Sequence, residues 1–138
     1  MHKLKENLKL TYGDLSTAIG GETSDKLEGG WTDMSKYRIA RGIAIASNVA
    51  SDEVITLTML KATASDGSGS ATTTYTDTYT STEATDIDVL QAEIKAIEAG
   101  TGYQWIGARV ASDGGSSTAV VTLLVEAGIP RYGQATLP

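Results

Sequence analysis

The sequence predicts an all-β protein, an antiparallel β-sandwich or jelly roll. Three observations support this prediction. Short runs with alternating side-chain character recur along the chain, an Asp-Gly reversal occurs twice, and a single stretch has helical spacing. At 138 residues and a net charge of −6, the chain is long enough to bury one core and is expected to form one domain.

The first part of the chain is weakly patterned and contains two glycine pairs. We interpret residues 1–35 as an extended N-terminal arm or edge segment, and residues 36–138 as the sandwich domain. One short strand is predicted within the arm, because three apolar side chains alternate with polar ones: Leu8, Leu10 and Tyr12.

Strand signals strengthen from Tyr37, so we expect a chain without residues 1–30 still to fold. Between residues 39 and 46 the odd positions carry large side chains and the even positions carry Ala or Gly. A face of small residues predicts close approach of a second layer. The run 54–62 alternates aliphatic residues with threonine, which is typical of a half-buried strand.

The sequence Ala-Ser-Asp-Gly occurs at residues 64–67 and again at residues 111–114. Asp-Gly tolerates the positive φ angles of tight hairpins, so we interpret both copies as hairpin turns. The run 71–82 follows the first copy, with threonines on one face and Tyr75 and Tyr79 on the other. Since neither face is apolar, this run is predicted to be an edge strand, a surface-exposed strand or a strand completed by a partner chain.

Residues 84–99 carry two signals. Alternation at Ile87 and Val89 predicts a strand, whereas later apolar residues have the spacing of a helix, and Gly100 is a suitable cap. We therefore expect a strand followed by one short helix near residues 91–98. Further strands are predicted at 103–110 and 119–125.

Composition argues against catalysis. The chain has one histidine, at position 2, and no cysteine, so common nucleophiles, bases and soft metal ligands are missing. Nothing distinguishes two of the seventeen acidic residues as a catalytic pair. We predict that the protein is not an enzyme and has no catalytic, cofactor-binding or metal-binding residues. Its pI of about 4.6 disfavours nucleic acid as a partner, and no apolar run is long enough to predict a membrane partner.

These observations favour a structural protein that acts through contacts with other proteins. Tyr and Trp are enriched at the energetic centres of protein interfaces. The predicted partner-interface residues combine the strand of the arm with exposed aromatic candidates: Leu8, Leu10, Tyr12, Trp31, Tyr75, Tyr79 and Tyr132. The alternative is a non-catalytic carbohydrate-binding or tail-associated β module that uses Tyr75, Tyr79 and threonine side chains.

Four short motifs occur in order: Met34-Ser35-Lys36-Tyr37, the Ala-Ser-Asp-Gly-Ser-Gly turn at 64–69, the strand that begins at Gly102-Tyr103, and Arg131-Tyr132-Gly133. In these motifs, over roughly residues 30–135, the chain resembles the small cement or decoration proteins of tailed bacteriophages, especially short-tailed ones. The resemblance implies a jelly-roll subunit made in the host cytoplasm. It would bind the outside of the icosahedral head, tie major capsid subunits together, and form a dimer or trimer without catalysis.

Overall fold

The structure is a computed structural model, and it describes residues 8–18, 26–83, 86–113 and 118–130. These residues form eight strands and a short 3₁₀ turn. The strands are β1 (Leu8–Ala18), β2 (Lys26–Asp33), β3 (Tyr37–Val49), β4 (Val54–Ala62), β5 (Ala71–Thr80), β6 (Asp86–Lys95), β7 (Trp105–Ser112) and β8 (Val120–Pro130), and the 3₁₀ turn is Ala96–Ala99.

The strands form two four-stranded antiparallel sheets. Sheet A has the order β1-β8-β3-β6 and sheet B has the order β2-β7-β4-β5. The first strand pairs with the last, the second with the seventh, the third with the sixth and the fourth with the fifth. The chain is thus doubled into a long hairpin and rolled into two layers, as in a jelly roll. The predicted fold class is confirmed.

The core lies between the inner faces of the two sheets. On β3 the small residues face inward, and Ala40 and Ala44 have no solvent exposure. A Cβ atom at Gly42 would lie 2.7 Å from Met59 Sδ and 3.3 Å from Ala108 Cβ, both in sheet B. The small face of β3 therefore allows the layers to approach closely, as the alternation predicted.

The N-terminal residues that the structure describes are strands at the edges of the two sheets. β1 pairs with β8, and its strand continues past Gly13 to Ala18 with register shifts, so it is longer than the alternation indicated. β2 pairs with β7. Gly30 in β2 is buried with φ +73°, and a Cβ there would lie 2.4 Å from Val125 Cγ2 of β8. Because both strands belong to the sheets, we no longer expect residues 1–30 to be dispensable for folding.

The predicted helix near residues 91–98 is wrong in length and position. Residues 91–95 belong to β6, and the helical part is limited to the 3₁₀ turn. Ala92 and Ile94 are buried while their neighbours are exposed, which is the two-residue period of a strand. Ile97, one of the apolar residues whose spacing suggested a helix, is 84% exposed and contributes nothing to a buried helix face.

The two Ala-Ser-Asp-Gly sequences have different structures. The first is the predicted β4–β5 hairpin, in which Gly67 N donates to the Ala64 carbonyl (3.1 Å) and Ser68 N donates to Asp66 Oδ1 (2.8 Å). The prediction of a second hairpin is wrong. Ala111 and Ser112 pair with β4 as part of β7, and the next strand, β8, lies in the other sheet. Residues 114–117 lie outside the described residues.

Candidate functional site

The outer face of sheet A carries a contiguous set of apolar side chains, which we call the aliphatic face. It consists of Leu10, Ile43, Ile45, Ile87, Val89 and Leu124. Ile45 pairs directly with Val89, and Ile43 pairs with Leu124, so these side chains are neighbours across β8, β3 and β6. Ile87 is 66% exposed, Val89 46%, Leu10 44% and Ile45 40%. Exposed apolar patches of this kind are typical of protein interfaces.

Charged residues at one end of the aliphatic face are balanced. Arg41 pairs in register with Glu126 of β8 and with Glu93 of β6. The Arg41 guanidinium donates from Nε to Glu126 Oε2 (3.0 Å). Lys95 lies one register step further along β6, opposite Ile39. Among the described residues, register thus places two cations and two anions on this face, while the whole chain carries −6.

The outer face of sheet B differs, because its exposed side chains are mostly threonines. We call this set the threonine face: Thr56, Thr58, Thr72, Thr74, Thr76, Thr78 and Thr80. Thr56 and Thr58 of β4 lie directly opposite Thr78 and Thr76 of β5. Since β5 is an edge strand with its threonines exposed, the prediction for this run is confirmed.

Tyr75 and Tyr79 face the opposite side of β5, as the alternation predicted. Both rings are half-buried and pack against the hydrophobic core. Burial, together with the neighbouring Glu98 carboxylate, raises the pKa of the Tyr75 phenol. Neither tyrosine therefore shares the threonine face.

Trp31 is engaged within its own chain. Gly29 pairs with Ala108 and Thr32 pairs with Ile106, so two residues of β2, Gly30 and Trp31, lie opposite one residue of β7. Such a bulge, with a glycine at positive φ, redirects the next side chain. A Cβ at Gly107 would be 2.6 Å from Trp31 Cε3, and one at Gly67 would be 2.5 Å from its Cε2.

The indole thus packs against both the sheet and the β4–β5 hairpin. Leu60, the β4 partner of Gly107, is 1% exposed although it lies outside the main core cluster. One end of the outer face of sheet B is therefore covered by the chain itself. Contact of the remaining exposed part of Trp31 with a partner stays a prediction.

The adjacent edges of the two sheets are linked by Asp77, which the sequence analysis did not single out. Its Oδ2 accepts from Gln91 N of β6 (2.8 Å), and its Oδ1 accepts from Thr78 N (2.9 Å). Thr73 Oγ1 likewise accepts from Tyr75 N (3.2 Å). Side chains that bond edge N–H groups reduce the capacity of an edge to add a strand. In the sequence, the signal that could have pointed to Asp77 was its position as a single acidic residue in a run of threonines.

An open groove of about 450 Å³ lies at the end of the sandwich, lined by residues that include Met34, Ile97, Tyr103 and Gln104. Lys61 borders this region, with Nζ 4.3 Å from the Tyr103 ring centroid and 3.0 Å from the Ala99 carbonyl oxygen, to which it donates. Lys61, the Tyr103 ring and the Ala99 carbonyl thus interact with one another. The described residues that line the groove include no pair of side chains suited to acid–base or nucleophilic catalysis.

Buried polar groups elsewhere have structural partners. Glu53, 4% exposed, accepts from Ala50 N (2.9 Å) and from the Ser112 hydroxyl. Across the described ranges, no three His, Cys, Asp or Glu side chains are grouped so as to hold a metal ion. In the same part of the chain, no helix has both the length and the apolar character to cross a membrane.

Among the predicted interface residues, Leu10 lies at the margin of the aliphatic face, beside Glu126. The side chains of Leu8 and Tyr12, and the whole of Tyr132, lie outside the described part of the chain. The principal residues of the aliphatic face were missed. Their signal was present in the sequence, since β3 has isoleucines on the face opposite its small residues.

No family model matches the sequence, and no curated protein matches it. Solved structures share its fold. PBSX exported protein XepA is 11% identical with a TM-score of 0.54, and the match covers 100% of this chain and 44% of XepA. Dimeric latent PorU from Porphyromonas gingivalis is 10% identical with a TM-score of 0.51, covering 88% of this chain and 12% of PorU. This chain thus spans less than half of each, and the likeness shows a common β-sandwich fold.

Proposed function

We propose that the protein is a virion structural protein that binds the outside of an icosahedral phage head as a cement or decoration protein. It stabilises contacts between major capsid subunits without catalysis. The observation that carries the proposal is the pair of broad outer faces, the aliphatic face of sheet A and the threonine face of sheet B, through which one subunit can contact more than one protein neighbour. An apolar surface on a folded, acidic sandwich is stabilised when a protein neighbour covers it.

The described part of the chain is suited to holding neighbours. Buried polar side chains such as Glu53 are engaged in structural hydrogen bonds, and two broad outer faces remain for contacts. Each contact of a cement subunit can be weak, because many copies acting together stabilise a shell.

Three of the four motifs of the cement-protein resemblance occupy defined positions in the fold, and the fourth, at residues 131–133, lies outside the described residues. Met34 to Lys36 form the β2–β3 turn, Tyr37 begins β3, the segment 64–69 is the β4–β5 hairpin, and Gly102-Tyr103 leads into β7. Turn and strand-start motifs of this kind preserve loop geometry at the ends of the sandwich. They support the proposal together with the jelly-roll topology, which the resemblance implies.

The proposal is tested with heads of the cognate phage assembled without this protein. The purified full chain is mixed with the heads, the heads are pelleted, and bound protein and the temperature of head rupture are measured. We expect saturable binding at micromolar concentration and a higher rupture temperature. Absence of binding, or binding without any change in rupture temperature, would contradict a cement role.

A carbohydrate-binding module is the second candidate, favoured by the hydroxyl array of the threonine face. Its predicted stacking residues, Tyr75 and Tyr79, are half-buried against the core, whereas sugar stacking needs an exposed ring face. Binding to a glycan array that is lost in Thr76→Ala, but kept in a variant of the aliphatic face such as Ile87→Ala, would favour this candidate over the cement role.

A further inference from the structure

The aliphatic face has the continuity of an interface. Its central residues, Ile45 and Val89, are exposed partners on neighbouring strands, and Ile43 and Leu124 extend the same surface toward β8. A single exposed isoleucine is ordinary on a protein surface, whereas a contiguous set across three strands indicates a site that is covered in the working protein.

The outer face of sheet A, which contains the aliphatic face, is large enough to dock one folded partner. Sheet A has four strands, and β6 is ten residues long. With a strand spacing of about 4.8 Å and a rise of about 3.3 Å per residue, the whole outer face of sheet A measures roughly 19 by 33 Å, including its charged end. Docking two such faces buries roughly 1,200 Å² in total, at the lower end of the range for specific stable interfaces.

The charge distribution favours a second copy of this chain as that partner. The chain carries −6, so most pairs of its surfaces repel. Among the described residues, the aliphatic face is balanced, with Arg41 and Lys95 against Glu93 and Glu126. Two copies can therefore meet here without like-charge repulsion at the contact.

Strand addition is a less suitable mode of self-association on the β5–β6 side. The Asp77 carboxylate bonds N–H groups of both β5 and β6, and Thr73 bonds a further N–H of β5. Contact between faces requires none of these groups to be released.

We propose that two copies of the chain form a two-fold dimer through the aliphatic face of sheet A. This proposal does not depend on the cement role. A dimer joined in this way presents two threonine faces outward, and it can therefore touch two neighbours at once.

Sedimentation velocity of the full chain over a concentration series tests the dimer. We expect a monomer–dimer equilibrium in the micromolar range. Ile45→Glu should raise the dissociation constant at least tenfold, because it places two like charges, one from each copy, in an apolar contact. Ile97→Glu is the matched control, since it makes the same change at an exposed isoleucine outside the face and should leave the dissociation constant unchanged.

Two further measurements test the dimer independently of whether Ile45→Glu folds: a second variant of the same face and the salt dependence of the wild-type dimer. Ile87→Glu changes a more exposed residue of the same face, so it reports on association if Ile45→Glu fails to fold. Moderate salt should strengthen the wild-type dimer, because it screens the net repulsion between two acidic chains. A wild-type chain that stays monomeric at high concentration, or a dimer equally affected by Ile97→Glu, overturns the proposal. Head binding by a strictly monomeric chain would overturn the dimer alone, whereas a dimer that binds no heads would overturn the cement role alone.

Discussion

The outer faces of the two sheets differ in how their apolar residues are covered. On sheet B, Leu60 is buried at the end of the face where Trp31 and the β4–β5 hairpin pack, and the rest of that face is mostly threonine. On sheet A, Ile45 and Val89 remain exposed, with no hairpin packed over them among the described residues. One end of the outer face of sheet B is thus covered by its own chain, whereas the outer face of sheet A keeps exposed apolar residues that we propose a second copy covers.

The largest expected effect is loss of folding when an edge strand is removed from each sheet. Deletion of residues 1–30 removes β1 and most of β2, which pair with β8 and β7. Because the stability of a domain of this size is typically only about 5–15 kcal/mol, loss of two strands should abolish cooperative folding. Circular dichroism during thermal unfolding provides the measurement. A sharp cooperative transition in the truncated chain would show that residues 1–30 are dispensable for folding.

The next largest loss of stability is expected at the end of sheet B where Trp31 packs against the β4–β5 hairpin. In Gly67→Ala, the new methyl group would collide with the Trp31 ring at a backbone φ of +85°, so we expect a loss of about 2–4 kcal/mol in the free energy of unfolding. Gly102→Ala is the matched control, because Gly102 has a similar φ of +88° and open space around its Cβ position. Its expected loss is about 1–2 kcal/mol, from backbone strain alone.

Urea denaturation of both variants separates the two contributions. Equal losses would indicate that the hairpin does not rest on Trp31, and the contrast between the two outer faces would then lose one of its supports.

These variants also mark the limit of prediction from sequence. The alternation on β3 and the Asp-Gly signal at Asp66 predicted a strand, its small inner face and a hairpin, because these features depend on near neighbours. The contact of Trp31 with Gly67 and Gly107 joins residues far apart in the chain. Sequence spacing contains no information about such a contact until the sheet order is known.

The wrong predictions have the same origin. Ser112 belongs to a strand instead of a turn because β7 pairs with β4, and its hydroxyl donates to the buried Glu53 carboxylate. Ile94 fits both a helical and a strand period, and pairing of β6 with Ala40 of β3 decides between them. Tertiary pairing overrides local propensity at both positions. For the candidate site, the sequence predicted Leu8, Leu10 and several aromatic residues as interface residues, which stays a prediction, and the sheet order adds the other members of the aliphatic face.

A third variant makes the outer face of sheet B apolar, like that of sheet A. Replacing Thr74, Thr76 and Thr78 by valine makes the outer face of sheet B apolar while keeping β-branched side chains suited to a strand. We expect the melting temperature to change little and assembly to proceed beyond the dimer, because a second adhesive face allows open-ended association. Light scattering measures the change in mass. An unchanged mass would mean that exposed apolar residues on a flat sheet do not suffice for docking.

The smallest effect concerns the hairpin that packs on Trp31. The backbone N–H of Ser68 lowers the pKa of Asp66 below its ordinary value of 3.8. The ionised carboxylate therefore stabilises the fold above pH 4, and this contribution is lost as the pH falls through the lower pKa of the folded state. Asp66→Asn should lower the melting temperature slightly at pH 7, with the difference shrinking as the pH falls below 3.8 and through the lower pKa of the folded state. A difference that stays constant with pH would contradict this origin.

The most direct test of the account is site-specific cross-linking, because the natural chain has no cysteine. Ile45→Cys and Thr76→Cys each place one thiol on an outer face, the first on sheet A and the second on sheet B. With a short bismaleimide at micromolar protein concentration, we predict covalent dimers from Ile45→Cys and almost none from Thr76→Cys. Equal yields from the two variants, or a higher yield from Thr76→Cys, would contradict the claim that sheet A is the face that a second copy covers.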